Sequence, residues 1–470
     1  MAPSRAPLRA SLRRISDLYT AKDLGVYQLR RSGVADRKEI AWHRPTGDDR
    51  RLGSPPLVTF RRLAQVHYPP AGPLVMDLRD SAEDTAFRAE VRAWIADHCV
   101  GEFAESGNIG GPGREHEGFE VRLAWEQALG DAGWTCLGWP IEWGGRGASI
   151  AKQVIWNEEY VRASCPARVG VFGEGLLGPT LIAYGTGEQK RRFLEPIRLG
   201  RELWCQGYSE PDAGSDLASV RTSAVLDGDE WVIKGQKVWT SLAQWADWCF
   251  VLARTDPASS RHKGLSYLLV PMRQPGVELR PITQLTGTSE FNEVFFDGAR
   301  TAKDMVVGDV GGGWGVALAT LAFERGVGLL GHQLRFSNEL EKVIDVARRR
   351  GLASDPVVRQ RLAQAWLTLA ILRMNTLRSL PGLEGPLSTP EASISKLFWG
   401  TWHRELGELA MDVGGISSMT LRSMPYELSE LQSLFLFSRA DTIYGGSNEI
   451  QRNIVAERVL GLPPEPKGSH

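Results

Sequence analysis

The stretch "WCQGYSEPDAGSDLAS", residues 204–219, alternates small and hydroxyl-bearing residues with acids, so its backbone offers many hydrogen-bond donors to a planar polar ligand. It also divides two kinds of chain. Upstream, residues 76–203 read as an N-terminal helical domain. "MDLRDSAEDTAFRAEVRAWIADH" begins it at Met76, with Ser81 as N-cap, Glu83 and Asp84 in the first turn, and Phe87, Val91, Trp94 and Ile95 at helical spacing. The glycine clusters "GNIGGPG" and "EWGGRGAS" punctuate its loops. Downstream, residues 204–309 read as a middle β domain built from the short runs "EWVIKGQKVWTS", "WCFVLART", "GLSYLLVPM", "GVELRPI" and "NEVFFDGAR". "DGDE" at 227–230 reads as a hairpin turn. Residues 310–463 return to helical periodicity. It runs from Gly311 to Arg350 and then over about 356–380, 390–416 and 427–461, which predicts an antiparallel bundle. The expected fold class is α+β: an N-terminal helical domain, a middle β domain and a C-terminal four-helix bundle.

Residues 1–75 differ in charge, with 14 Lys+Arg against 6 Asp+Glu, leaving 41 against 50 for the rest. This basic extension, opening "MAPSRAPLRASLRR", reads as a disordered tail or an over-long start, with a mitochondrial transit peptide as the other reading. A net charge of −1 over 470 residues leaves no bulk attraction to nucleic acid or anionic membrane. The five cysteines, Cys99, Cys136, Cys165, Cys205 and Cys249, form no CxxC pair, which argues against a disulfide framework or a zinc site. With no run of 18 apolar residues, the expectation is an intracellular protein, in the bacterial cytoplasm or, were the extension a transit peptide, the mitochondrial matrix. Small molecules and other subunits are the expected partners.

"GEGLLG", residues 173–178, matches GxGxxG and follows "RVGVF", but Pro179 stands where a phosphate-binding helix should be under way, and no strand–helix succession surrounds it. "GGGWG" at 311–315 lacks a GK[ST] ending and is read as the entry to the long helix. No metal-ligand cluster appears among the eight histidines.

"YSEPDAGSD" resembles the signature of the flavin-dependent acyl-CoA dehydrogenases. "VWTS" at 238–241, "SEFNEVFFDGAR" and "YGGSNEIQR" at 444–452 are similar to further motifs of that family, in the same order. The resemblance runs from Met76 to about Pro463. It implies FAD bound by Gln206, Tyr208, Ser209, Gly214, Ser215, Trp239, Thr240 and Ser241, with Ser241 near the reactive flavin nitrogen. It also implies cofactor contacts at Gly414, Gly415, Ser447, Asn448 and Glu449, and acyl-CoA contacts at Ser215, Phe323, Arg325 and Gly445.

Many members carry a catalytic glutamate as the second residue of the last motif, where this chain has Gly445. Isovaleryl-CoA and long-chain acyl-CoA dehydrogenases instead place it in the first long helix, directly before an arginine. "LAFERGVGLL", residues 321–330, puts Glu324 before Arg325 at the matching position, so the resemblance implies Glu324 as the base. The helical neighbours of Glu324 are Thr320, Leu321, Val327 and Gly328, an uncharged face that would raise its basicity. Thr320 is expected either to bond back to its own helix or to donate to the carboxylate.

Two departures stand out. "ARRRGLASDPVVRQ" lacks the Phe-Gly of the family's "RxxFG" element, and Met411 of "MDVGG" stands where a glutamine is usual. Both concern contacts reaching a neighbouring subunit's cofactor, and they resemble the heteromeric members of bacterial steroid side-chain breakdown. The expected function is α,β-dehydrogenation of an acyl-CoA to a trans-2-enoyl-CoA in lipid catabolism, with electrons passing to an electron-transfer flavoprotein from a homo- or hetero-oligomer. The alternatives are a non-catalytic partner subunit and a flavin oxidase or monooxygenase on the same fold.

Overall fold

The computed structural model describes residues 80–324, 328–379, 390–423 and 426–464, with side chains described except at 324, 328–332, 378–379 and 390–393. The reading of residues 1–75, and those of Arg325 and of the Glu324 side chain, fall outside the described residues.

The first helix, α1 (Ala82–His98), starts where the acids and serine predict. Ser81 accepts from the Asp84 N–H while the Asp84 carboxylate bonds back to the cap, a reciprocal pair that satisfies two otherwise orphaned donors. With α2 (Phe119–Asp131) and α3 (Ile150–Arg162) it encloses Phe87, Val91, Ile95, Trp125, Trp134 and Trp156. "RVGVF" forms no strand. "GEGLL" is instead a π-helical turn running directly into α4 (Gly178–Tyr184), with Pro179 tolerated in the first turn of that helix. The glycine motif therefore sits inside helical structure, and α5 (Gly187–Arg198) closes the domain.

The middle domain is a sheet whose described strands are β1 (Trp204–Gly207), β2 (Ser223–Asp227), β3 (Glu230–Ser241), β4 (Trp248–Arg254), β5 (Leu265–Pro271), β6 (Val277–Ile282), β7 (Phe291–Ala302) and β8 (Val306–Val307). The order is β6-β7-β3-β2-β4-β5-β8, with β1 parallel on β4. "DGDE" makes the β2–β3 hairpin, with Gly228 at φ +63°. The long β3–β7 ladder shifts register between Lys237 and Thr240, a bulge that falls on the signature "VWTS".

Helix α6 (Gly313–Glu324) lies on β5. A methyl group at Gly313 would stand 2.4 Å from the Ser266 carbonyl carbon, so the glycine permits this approach. Helices α7 (Gly328–Arg349), α8 (Pro356–Ser379), α9 (Pro390–Gly414) and α10 (Glu430–Ser438) complete the helical domain. Phe336, Leu340, Leu372, Trp399, Trp402 and Leu406 form its core.

The expected last helix over 427–461 is not continuous. It divides into α10, a short turn at Ala440–Thr442, α11 (Asn448–Ile454) and a π-helical turn at Val455–Val459. Gly445 and Gly446, at φ +62° and +85°, are left-handed and cannot continue an α-helix. No described helix is long and apolar enough to cross a membrane, and no described cluster of His, Cys, Asp and Glu suits a metal.

Candidate active site

Trp239 lies on the bulge at φ +61°, a costly backbone conformation for a bulky residue, and its ring is 57% exposed against the edge of Phe291. Strain and an uncovered aromatic surface at one position mark a place for a flat ligand. Alternation along β3 leaves Ser241 partly exposed with Trp239 and buries Thr240 on the other side, its Oγ1 without a partner. Ser241 pairs with Phe291, and Leu242, also left-handed, donates to the Glu290 carbonyl.

The loop after β1 is held against β3 by a buried ion pair. Lys237, fully buried, donates to Glu210 Oε1 at 2.8 Å, to the Tyr208 carbonyl at 3.0 Å and to the Leu252 carbonyl at 2.8 Å. Glu210 also accepts from the Arg221 and Thr222 N–H groups at 2.6 and 2.8 Å. Desolvation lowers the Lys237 pKa against the opposing pull of Glu210, and the Lys237 charge and amide donors hold Glu210 below its ordinary value although burial acts the other way. Ser209 is tied to Val238 backbone to backbone at 2.9 Å, so the loop and the strand that carries Trp239 move together. The Tyr208 ring is buried in the core, edge-on to Phe250 and Tyr267. Gln206 is partly buried, while Gly214 and Ser215 are exposed, and a methyl at Gly214 would meet nothing. A strained, uncovered Trp beside an open, donor-rich loop fits the isoalloxazine end of FAD.

On α6, Thr320 is fully buried and its hydroxyl is engaged by the Val316 carbonyl at 3.0 Å and by Thr180 Oγ1 at 2.9 Å. Of the two expectations for Thr320, the bond back to its own helix is the one observed. Phe323 is partly buried one residue before Glu324.

The C-terminal motif forms a turn and a cap. The Gly445 carbonyl accepts from Gln451 Nε2 at 3.0 Å, and Ser447 caps α11 by accepting from the Ile450 N–H. Asn448 is buried with Oδ1 unpartnered, whereas the Glu449 side chain is largely exposed beside Arg452. Gly414 and Gly415 lie elsewhere, at the end of α9. Gly414 borders a cavity of about 570 Å³ that Lys342, Arg349 and Arg422 also line, and Gly415, at φ +58°, lies against Arg350. The residues named from sequence thus form groups around the β3 bulge, the 445–449 turn and the end of α9.

Sequence reading missed the polar residues behind the bulge. Glu290, almost fully buried, accepts from Thr288 Oγ1 at 2.6 Å and meets His116 Nδ1 at 2.9 Å. Glu115 is half-buried, its pKa raised to about 7 mainly by desolvation, and its buried Oε2 has no partner. Nothing periodic distinguishes these residues in sequence, because a loop and a hairpin 174 positions apart bring them together.

Comparison with known proteins gives the lineage. Profiles described as the N-terminal, middle and C-terminal domains of acyl-CoA dehydrogenase match residues 81–201, 205–299 and 311–460. The chain is 62% identical over 384 residues to the acyl-CoA dehydrogenase IpdE1 of Mycobacterium tuberculosis, covering 81% of this chain and 98% of that one. Among solved structures it resembles the Tcur3481–Tcur3483 steroid acyl-CoA dehydrogenase at TM-score 0.71 and 33% identity, over 83% of this chain and all of that one. It resembles the ChsE4–ChsE5 complex of Mycobacterium tuberculosis at TM-score 0.70 and 31% identity, with the same coverage. With three profiles in order along most of its length and these relatives, the chain belongs to the acyl-CoA dehydrogenase family.

Proposed function

We propose that this protein carries out FAD-dependent α,β-dehydrogenation of an acyl-CoA of steroid-derived type, giving a trans-2-enoyl-CoA, with Glu324 as the base. The observation that carries this reading is the strained, exposed Trp239 on its bulge, with Ser241 on the same side and the open 209–215 loop beside it. FAD, held by Ser209, Gly214, Ser215, Trp239 and Ser241, would supply the acceptor for the substrate's β-hydrogen as hydride. Glu324 takes the α-proton onto its carboxylate. The Thr320 hydroxyl is already committed to Val316 and Thr180, which removes a donor that would damp its basicity. Gly445 brings no second carboxylate. Its backbone N–H is a donor for the thioester oxygen as enolate charge develops, in a turn fixed by Gln451. Phe323 and Ser215 contact the acyl-CoA, and electrons leave to an electron-transfer flavoprotein.

The test is the visible spectrum of the purified protein and its change on anaerobic addition of short, long and steroid-type acyl-CoAs. Flavin that bleaches in wild type, with at least a 10³-fold slower rate in Glu324→Gln, is the expected result. Equal bleaching in both proteins would remove Glu324 from the role of base.

A second reading is that this chain works with an unlike subunit. Met411 and the missing Phe-Gly support it, as do two similar structures that are each named for two components. Expression alone would then give substoichiometric flavin, and co-expression with the partner would restore it. Full flavin in a homo-oligomer would count against this reading.

A further inference from the structure

Arg335 on α7 is half-buried and forms no hydrogen bond or ion pair with any described residue, and desolvation lowers its pKa. Its guanidinium faces the 108–118 loop: a methyl at Gly111 would lie 3.1 Å from Arg335 Nη1. That loop is held from several sides. Arg122 donates to the Glu115 carbonyl at 2.6 Å and to the Ala167 carbonyl at 2.9 Å, and a methyl at Gly113 would sit 2.6 Å from the Phe437 ring.

The nearby carboxylates make no hydrogen bond to this guanidinium. Glu339 is engaged by His403 Nε2 at 2.7 Å, and the His403 charge is itself shared with Asp441. Glu115 keeps Oε2 unpartnered and, titrating near 7, is protonated in a large fraction of molecules at neutral pH. Arg122 adds a second positive charge, which Arg335 opposes. The site therefore presents a guanidinium and a carboxyl able to donate, neither with an acceptor in the protein.

Its position bears on the substrate. His116, next to Glu115, meets Glu290 at 2.9 Å, and Glu290 precedes Phe291, the partner of Ser241 across the β3–β7 ladder. Glu339, one turn along α7 from Arg335, is linked through His403 and Asp441 to Tyr444, which precedes Gly445. Chains of contacts thus connect these groups to both places assigned above to the reacting end of an acyl-CoA.

We propose that Arg335, with Glu115 beside it, receives an oxygen acceptor carried by the acyl group away from the thioester, a carboxylate or a ring or chain ketone, and so selects oxygenated acyl groups over plain hydrocarbon ones. This rests on the acyl-CoA dehydrogenase reading. These half-buried donors have no partner in the protein, so a substrate without the acceptor forgoes their hydrogen bonds and binds worse.

The experiment is anaerobic titration of the flavin-loaded protein, with its partner subunit if one co-purifies, monitored by flavin absorbance. The probes are hexanoyl-CoA, its ketone-bearing counterpart oxohexanoyl-CoA and adipoyl-CoA, with decanoyl-CoA and sebacoyl-CoA as a longer pair. The expected result is that at least one oxygenated probe binds about tenfold more tightly than its hydrocarbon match. Whether oxohexanoyl-CoA or the dicarboxylic probes gain more tells ketone from carboxylate. Arg335→Met should erase that preference and leave hydrocarbon binding within about twofold, and Arg335→Lys should retain part of it. Absence of any preference in wild type, or an equal loss for all probes in Arg335→Met with Arg335→Lys no better, overturns the proposal while leaving the dehydrogenase intact. Flavin that responds to no acyl-CoA overturns both.

Discussion

Lys237 lies in a strand that the sequence shows plainly, yet its role there is visible only from its three buried partners. Replacing it by methionine keeps the volume but leaves Glu210 as a buried, uncompensated charge. Lys237→Met should therefore cost about 3–5 kcal/mol and lower flavin retention, because the 204–219 loop loses its tie to the strand of Trp239. Adding Glu210→Gln should recover part of the stability, since the stranded charge is gone. Thermal melts of the single and double variants check this, and additive losses would show that the pair is not coupled. Trp239 and Ser241 were legible as a motif. That the chain bends to present Trp239 was not, because a left-handed backbone at a tryptophan leaves no compositional trace.

Helix α6 reaches β5 only because Gly313 has no side chain. Gly313→Ala puts a methyl group against strand backbone, which cannot move aside as a flexible side chain can, and should cost about 3 kcal/mol. Slower α-proton abstraction should accompany it, as the helix that bears Glu324 shifts. Denaturant unfolding together with flavin-bleaching rates tests this, and a neutral substitution would mean the helix sits farther from the sheet. On α9, packed against α7 and the turn before Tyr444, His403 is nearly fully buried and meets Glu339, Asp441 and the Phe336 ring, while Lys396 donates to the Asp441 carbonyl at 2.7 Å and Tyr444 to its carboxylate. Burial lowers its pKa, but the two carboxylates prevail and raise it from 6.5 to about 10. A charge so favoured in the folded state contributes its full stability below pH 6.5 and loses it progressively as pH rises towards about 10. The melting temperature of wild type should therefore fall relative to His403→Gln between pH 7 and 10, and parallel curves would place the stabilisation elsewhere.

At the scale of the molecule, one apolar cluster crosses domain boundaries. Phe193 and Leu194 of α5, Leu177 beside α4, Phe250 and Leu269 of the sheet, and Val316 and Ala317 of α6 share a single core. Phe193→Ala should cost about 3–5 kcal/mol and raise hydrogen exchange together in α5, β4 and α6. The α7–α9 core, a separate cluster, should respond less. Exchange confined to α5 would show that the domains unfold independently.

Domain order, the strands β3 to β7 and the motifs "YSEPDAGSD" and "VWTS" were readable in the sequence because each rests on local periodicity or on a contiguous run, whereas the short β1, β2 and β8 were not. The supposed final helix failed at Gly445 and Gly446, where backbone handedness outweighs an apolar period. The sequence by itself thus determined the kind of protein and the chemistry its motifs resemble. The unpaired Arg335 facing the Glu115 loop, the Lys237–Glu210 tie and the aim of Trp239 were decided only by tertiary structure. The physical reason is that pairing, desolvation and strain depend on which distant segments meet, a property that no single stretch of chain carries.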